Sequence, residues 1–487
     1  MTTALAALEP TLVWSHFATL CVIPRPSLRE ARLRDHLIAW ARPRGIAAEV
    51  DPVGNLILRK PATPGAEDRP GVILQGHLDM VCQANAGTVH DFERDPIVAA
   101  VRDGWVVAEH TTLGADNGLG VALALAALEA PGLAHPALEV LLTVNEESGM
   151  DGARGLAPGT LRGRRLINLD SEEWGHFYLG CTGGIDVEVS HAPERAPLPG
   201  DYAIFRLALS GLRGGHSGLD IHLGRGNAIR LLAEALSDLG ATTDLRLIDL
   251  RGGTARNAIP REAEAHLALP AQEAAGLADW VRQRQADWRR RFSEADPDVV
   301  LTVTTPKTPA AEALTASQRD RLLGFLTGLD NGVLAVSEDF PGVTDTSSNL
   351  GVAALGENGF RATAKVRSLH DDRADRQADA MLEQARRFGL TAWKDGAYPG
   401  WTPNPASPLL ALCERVHAAR FGEPARLQVI HAGLECGLLA ASHPHLDMIS
   451  FGPDIRGAHA PGERVEIASV AKCWALLQAV LTALATE

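Results

Sequence analysis

The sequence GVILQGHLD at residues 71–79 joins a short apolar run to a group of polar residues, and it decides the fold. A second run, LEVLLTV at 138–144, also ends in polar residues, and a helix-like apolar stretch near 118–130 lies between the two. Continuous apolar runs of this length are typical of strands buried on both faces. The order strand, helix, strand indicates a mostly parallel sheet. We therefore predict an α/β fold.

The same pattern recurs in two further apolar runs, at 166–169 and 448–451, each followed by polar residues. Between them the chain changes character, because alternating strand-like segments and helical segments follow one another before a proline-rich stretch. We predict a mixed, mostly parallel sheet domain covered by helices and divided into residues 1–185 and 400–487. Residues 186–399 would form an inserted α+β domain.

Composition limits the classes of function. The chain has 487 residues, with 60 acidic and 46 basic side chains and a formal net charge of −14. This balance argues against nucleic acid or an anionic membrane as the main partner, because both require a basic face. We find no apolar stretch near the roughly 20 residues of a spanning helix and no basic leader of a signal peptide. Six scattered cysteines favour a reduced, cytoplasmic protein.

The polar groups at the strand ends are the candidates for chemistry, since ligands of α/β sheets bind at the carboxyl ends of the strands. In an extended segment His77 and Asp79 point the same way, so Asp79 can orient the imidazole. Taken alone, such a pair is more often two ordinary polar residues. Asp116 lies in a glycine-rich stretch before the helical run, where it could also be a helix cap or, less readily, part of a phosphate loop.

Two adjacent carboxylates, Glu146 and Glu147, follow a buried strand, where they are costly unless a cation compensates them. A solvated loop pair is the other interpretation. Asp170 closes the next apolar run, and His459 lies in a polar turn near the C-terminus. Adjacent residues point apart, so one glutamate can ligate a metal while the other accepts a proton. Imidazole and carboxylate ligands together suit zinc, although manganese or cobalt would also bind.

These groups occur within longer motifs, and with them the sequence resembles the M20 family of dinuclear metallopeptidases, most of all its bacterial aminoacyl-histidine dipeptidases. The motifs span nearly the whole chain in order. They are Ile23-Pro24-Arg25-Pro26-Ser27, Gln75-Gly76-His77-Leu78-Asp79-Met80-Val81, Thr112-Leu113-Gly114-Ala115-Asp116-Asn117-Gly118, Asn145-Glu146-Glu147-Ser148-Gly149, Asn168-Leu169-Asp170-Ser171-Glu172, Gly214-Gly215-His216-Ser217-Gly218 and His431-Ala432-Gly433-Leu434-Glu435-Cys436-Gly437.

The resemblance implies a role for each metal-binding residue. Asp116 would bridge two zinc ions, His77 and Asp170 would hold one of them, and Glu147 and His459 would hold the other. Family members usually open the first motif as Ser/Gly-His-x-Asp, and in this chain it opens as Gln75-Gly76-His77. The ligands themselves are unchanged.

Further roles follow from the same resemblance. Asp79 would orient its histidine, and Glu146 would be the general base that deprotonates a water bridging the metals. The inserted domain would be a lid on which His216 stabilises the tetrahedral oxyanion, while Asn257 and Arg367 grip the substrate. Fixed arginines suit free carboxylates, which a dipeptide carries.

The expected activity is therefore metal-dependent hydrolysis of dipeptides, in particular Xaa-His dipeptides similar to carnosine. Another activity of the family, N-acyl-amino-acid deacylation or carboxypeptidase activity, is the alternative, since the metal ligands would be identical. A binding protein built on an inactive peptidase is a rival from another class, but such proteins usually lose the base or a ligand. The expected partner is a small peptide substrate, with a homodimer through the lid domain as a further possibility and with no nucleic acid or membrane.

Overall fold

The computed structural model describes residue 5 and residues 7–306 and 310–487, so most of the N-terminal segment and residues 307–309 lie outside it. The chain divides into two compact units. The first contains residues 1–181, 401–429 and 434–487, and the second contains residues 182–400 and 430–433. The short return at 430–433 was not foreseen in the predicted segment 400–487.

An eight-stranded sheet forms the centre of the first unit. Its strands run, from one edge to the other, in the order Ala47–Val50, Leu56–Lys60, Leu138–Thr143, Val72–His77, Arg165–Asn168, Asp447–Ser450, His176–Cys181 and Arg426–Ile430. The four strands in the middle of this order are parallel. Ala47–Val50 with Leu56–Lys60, Leu56–Lys60 with Leu138–Thr143, and Asp447–Ser450 with His176–Cys181 are antiparallel pairs. The prediction of a mixed, mostly parallel sheet is confirmed.

The middle strands are buried on both faces, as their continuous apolar runs predict. All six residues of Val72–His77 and all six of Leu138–Thr143 are buried. The helices of this unit are Thr11–Val22, Ala31–Ala41, Ala115–Glu129, Glu146–Gly149, Asp151–Gly155, Pro408–Phe421, Glu435–Ser442 and Ile467–Thr486, with a 3-10 turn at Arg42–Arg44. A small four-stranded sheet is formed by Ala100–Arg102, Trp105–Val107, Ile455–Arg456 and Arg464–Glu466.

The C-terminal helix Ile467–Thr486 corrects one expectation. With 20 residues and a mean hydropathy of 1.7, it is long and apolar enough to cross a membrane by length and composition alone. The expectation that no stretch approaches this length was wrong, because isolated polar residues such as Lys472 and Gln478 interrupt an otherwise apolar sequence. Half of the helix is buried, and it packs against the helix Pro408–Phe421 of the first unit. A core helix passes the same test.

The second unit is built on a nine-stranded sheet. Eight strands follow one another in the order Val300–Thr304, Tyr202–Ser210, Ala263–Pro270, Arg246–Gly252, Thr344–Gly356, Gly359–Ser368, Gly183–His191 and Thr391–Tyr398, and Gly332–Val336 pairs with Thr344–Gly356. The unit's helices are Ala228–Gly240, Leu277–Arg291, Ala316–Gly328 and Asp371–Arg387, with 3-10 turns at Ile221–Leu223 and Ala274–Gly276. Two short ribbons pair Arg195–Pro197 with Glu312–Leu314 and Gly215–His216 with Ala258–Ile259.

Local sequence explains where two of the helices begin. The Asn227 side chain accepts hydrogen bonds from the backbone amides of Ile229 and Arg230, which caps Ala228–Gly240. Ser407 caps Pro408–Phe421 in the same way, and proline occupies the first turn, where no amide hydrogen is needed. Neither cap uses the polar residues at the strand ends, which remain available for the site.

Candidate active site

The five predicted metal ligands all lie in the first unit, close to the carboxyl ends of its parallel strands. His77 is the last residue of its strand, Asp170 follows Arg165–Asn168 by two residues, and Glu147 lies in the one-turn helix after Leu138–Thr143. Neighbouring parallel strands end at the same edge of a sheet, so side chains distant in sequence meet there.

Asp116 is the centre of this group, because its two carboxylate oxygens face two different histidines. His77 Nε2 lies 3.1 Å from Asp116 Oδ1 and 3.4 Å from Asp170 Oδ1. His459 Nε2 lies 3.1 Å from Asp116 Oδ2 and 3.1 Å from Glu147 Oε2. Among the described residues, three groups of side chains could hold a metal ion, namely His77 with Asp116 and Asp170, His77 with Glu146 and Glu147, and Asp116 with Glu147 and His459. Asp116 belongs to two of these groups. A carboxylate that bridges two ions requires this arrangement.

Burial and neighbouring charges shift the pKa values of this group. Burial, followed by the charges of Asp116 and Glu147, raises the pKa of Asp170 to about 7. Hydrogen bonds with Asp116 and Glu147 raise the pKa of His459 to about 11. Asp170 Oδ1 and Glu147 Oε1 are buried and receive no hydrogen bond from any residue that the structure describes. Buried carboxylate oxygens without donors suit metal cations, so the residues present fit a metal centre.

The Asp79 side chain holds Glu146 and Glu147 through their backbone amides. Their amides donate to Asp79 Oδ1 at 3.0 Å and Oδ2 at 3.1 Å, respectively. Asp79 also accepts from the Ser27 hydroxyl at 2.8 Å and lies 3.4 Å from His77 Nδ1. Burial raises the pKa of Glu146 well above its usual range, and the nearby charge of Asp170 adds to this effect. Such a carboxyl can hold a proton near neutral pH.

The predicted residue His216 lies in the second unit, in the ribbon that pairs it with Ala258. Its Nδ1 accepts hydrogen bonds from the backbone amides of Gly218 and Leu219, at 3.2 and 3.0 Å. Burial, and then the charge of Arg367, lowers the pKa of His216 to about 4. A neutral imidazole that accepts at Nδ1 carries its proton on Nε2, so His216 presents an N–H donor.

Asn257 and Arg367, the two predicted substrate-binding residues, also lie in the second unit. The Asn257 carbonyl accepts from the Ser217 amide at 2.8 Å, and its side chain is exposed. Arg367 is only 4% exposed, and its Nη1 donates to the Tyr398 hydroxyl at 2.6 Å. It forms no salt bridge with any acidic residue of the described chain. A buried cation without an anion is costly, so Arg367 fits an anionic ligand.

Comparison with known proteins shows the relationship over the full length of the chain. The sequence profile of peptidase family M20/M25/M40 matches residues 73–483. The chain belongs to this family. It is 43% identical over 477 residues to the cytosol non-specific dipeptidase of Escherichia coli K12, covering 98% of each chain. The family predicted from the motifs is confirmed.

Two solved structures agree with the fold. The aminoacylhistidine dipeptidase of Vibrio alginolyticus superposes with a TM-score of 0.92 at 40% identity, covering 98% of each chain. The aminopeptidase PepT of Bacillus cereus superposes with a TM-score of 0.57 at 16% identity, covering 99% of this chain and all of that one. At that identity the second likeness concerns the fold alone.

Sequence reasoning missed one buried carboxylate of this M20 chain, Glu435. Its Oε2 accepts from Gln75 Nε2 and from the Thr143 hydroxyl, each at 2.7 Å. Burial raises the pKa of Glu435 to about 7, against the effect of the charged His77. Gln75 directly precedes Gly76 and His77 in the buried strand, and Glu435 lies in the HAGLECG motif. A glutamine within a buried, mostly apolar strand was therefore the signal that a polar partner exists.

A polar row continues from this glutamine across the sheet. Gln75 Oε1 accepts from Asn168 Nδ2 at 2.5 Å, and Asn168 Oδ1 accepts from the Ser450 hydroxyl at 2.5 Å. The three residues are partners on adjacent parallel strands. Asn168 Oδ1 also accepts from the amide of Asp170 at 3.2 Å, which connects the row to a candidate ligand.

Two further buried charges support the loop that carries Asp116. Glu463 accepts the four consecutive backbone amides from Leu113 to Asp116, at 2.7 to 3.2 Å. Arg25 donates to the carbonyls of Leu78, Asp79 and Gly114 at 3.0, 2.7 and 2.5 Å. Arg25 lies in the first motif of the resemblance, and Glu463 follows His459 by four residues. No local sequence pattern predicts that either side chain binds backbone groups so far away along the chain.

Proposed function

We propose that this M20 peptidase is a cytosolic dipeptidase of the aminoacylhistidine dipeptidase type that uses two zinc ions. The observation that carries the proposal is the position of Asp116 between two histidines, in a chain whose full-length relatives are dipeptidases. The cytosolic location is supported by the name of the Escherichia coli relative and by six free cysteines. A homodimer through the second unit stays a prediction, which sizing of the purified protein tests.

The metal-binding residues divide into two sets in this proposal. His77 and Asp170 would hold one ion, Glu147 and His459 would hold the other, and Asp116 would contact both. When bound, such ions lower the pKa of a water molecule to about 7 and polarise the scissile carbonyl. Carboxylates that the protein leaves without donors receive their compensating charge in this way.

Glu146 is the proposed general base. Asp79 fixes the Glu146 backbone amide, and the buried carboxyl of Glu146 has a raised pKa, so it can accept a proton from water and hold it. It can then deliver that proton to the leaving amine. Glu147 is held by the same aspartate but is assigned to the metal, which divides the two glutamates by role.

The second unit supplies the proposed substrate contacts. His216 is neutral and presents its Nε2 hydrogen as a donor for the developing oxyanion. Arg367 is a buried cation without a salt bridge to any described residue, and it suits the C-terminal carboxylate of a dipeptide. Asn257 is exposed beside the His216 ribbon and would grip the peptide.

A substrate panel tests this proposal. The metal-free protein is loaded with zinc, manganese or cobalt and assayed with alanyl-histidine, other dipeptides, a tripeptide and N-acetyl amino acids. We expect metal-dependent cleavage of dipeptides that a chelator abolishes, and the ratio of kcat/KM values for alanyl-histidine and alanyl-alanine measures selectivity for histidine. Cleavage of N-acetyl amino acids with dipeptides spared would instead establish a deacylase, and equal rates on all dipeptides would remove the preference for Xaa-His.

A further inference from the structure

Two neighbouring rows of residues cross the sheet of the second unit, and they treat a buried cation differently. In one row Lys365 lies opposite Asp186, with Nζ 2.6 Å from Oδ1, and Asp186 also binds Arg256 at 2.9 Å. In the other row Arg367 lies opposite Gly184. Because glycine has no side chain, this position supplies no carboxylate. The charge of Lys365 is thus compensated by Asp186, whereas Arg367 has no salt-bridge partner among the described residues.

The glycine also lets a residue from the next strand reach the arginine. Tyr398 pairs with Gly184 on the far side of that strand, and its hydroxyl accepts from Arg367 Nη1 at 2.6 Å. A Cβ atom at Gly184 would lie 2.5 Å from the Tyr398 hydroxyl oxygen, and one at Gly433 would lie 2.8 Å from Cε2 of the ring. The tyrosine therefore occupies space that two glycines leave open.

We infer that Tyr398 is a positioning residue that holds the guanidinium of Arg367 in the orientation that receives the substrate carboxylate. A hydroxyl accepts one N–H and restrains the guanidinium plane without cancelling its charge, so the other N–H groups stay available for a carboxylate. Arg367 Nε is buried and has no hydrogen-bond partner among the described residues, which leaves it for such a ligand. The inference rests on the proposed role of Arg367 in substrate binding.

The first test is Tyr398→Phe, which removes the hydroxyl and keeps the ring. We expect KM for alanyl-histidine to rise about 10-fold, as for one lost hydrogen bond to a charged group, with a much smaller change in kcat. KM for alanyl-histidine amide, which lacks the carboxylate, should stay within about twofold of its wild-type value. Tyr202→Phe is the matched control, because it removes a hydroxyl bonded to Asp244 in the same unit. Equal losses on both substrates would mean a general structural role and overturn the inference.

A double-mutant cycle with Arg367→Met separates the two levels of the argument. If Tyr398 acts through Arg367, Tyr398→Phe should add almost nothing in the Arg367→Met background. If Arg367→Met itself leaves the preference for the free carboxylate intact, the proposed role of Arg367 fails. If Arg367→Met abolishes that preference while Tyr398→Phe does not reduce it, only the role of Tyr398 is refuted.

Gly184→Ala provides an independent variant, because it displaces the tyrosine ring without removing its hydroxyl. We expect the same selective rise in KM for the free dipeptide, with circular dichroism and metal content as controls for folding. An unchanged KM in a folded Gly184→Ala protein would overturn the inference even if Tyr398→Phe cannot be purified.

Discussion

The two units carry candidate sites of opposite charge. In the first unit Asp116, Glu147 and Asp170 surround two histidines, and two buried carboxylate oxygens lack donors among the described residues. In the second unit Arg367 is buried beside a neutral histidine without an acidic partner in the described chain. In the proposed function, the site of the first unit takes up metal cations, and Arg367 of the second unit takes up the carboxylate of the dipeptide.

The largest expected effect distinguishes Glu146 from its neighbour Glu147 in the first unit. Glu146→Ala should lower kcat by about 10²–10⁴-fold while metal content stays at the wild-type level, because a proton carrier is lost and no ligand is removed. Glu147→Ala is the matched variant, and it should lose metal. Elemental analysis and steady-state kinetics measure both. Loss of metal in the Glu146→Ala protein would show that the division of roles is wrong.

In the second unit, His216→Ala should lower kcat by about 10²-fold or more, with a much smaller change in KM and no loss of metal, since an oxyanion donor acts mainly in the transition state. His222→Ala is a control at an exposed histidine of the same unit. A near-normal kcat would remove His216 from the mechanism. If the protein is a dimer, activity recovered by mixing with an Asp116→Ala variant would place His216 across the interface.

The bridging position of Asp116 predicts a difference in metal stoichiometry. Asp116→Ala should lose both ions, and Asp170→Ala should lose one, because a bridging ligand serves two ions and a terminal ligand serves one. Metal content after dialysis against trace zinc measures this. Equal stoichiometry in the two variants would argue against the bridge.

The smallest expected effect is that of replacing Glu435, whose carboxylate accepts hydrogen bonds from Gln75 and Thr143. Glu435→Gln should weaken zinc binding by about 10- to 100-fold, as is typical for residues that orient metal ligands. The exchanged pair Gln75→Glu with Glu435→Gln restores a donor opposite an acceptor, so it should recover part of the affinity. Competition with a chromophoric chelator measures the dissociation constants. Unchanged affinity in Glu435→Gln would limit this residue to a role in packing.

The sequence by itself determined the parallel centre of the first unit and its family. Apolar runs that end in His77, Glu146 and Asp170 predict buried strands, and strands of this kind bring their carboxyl ends together. Motif order then extended the prediction to the ligands and to His216. Local patterns suffice here, because strand burial and the position of a polar residue at a strand end both depend on nearby sequence.

Only the tertiary structure decided which charges are balanced and which are left open. Glu435 meets Gln75 across 360 residues of sequence, and Tyr398 reaches Arg367 over a glycine on the strand between them. Strand order and register place these side chains together, and neither follows from the spacing of residues along the chain. The protonated nitrogen of His216 is likewise set by two backbone amides, since hydrogen bonding and burial arise only after the chain has folded.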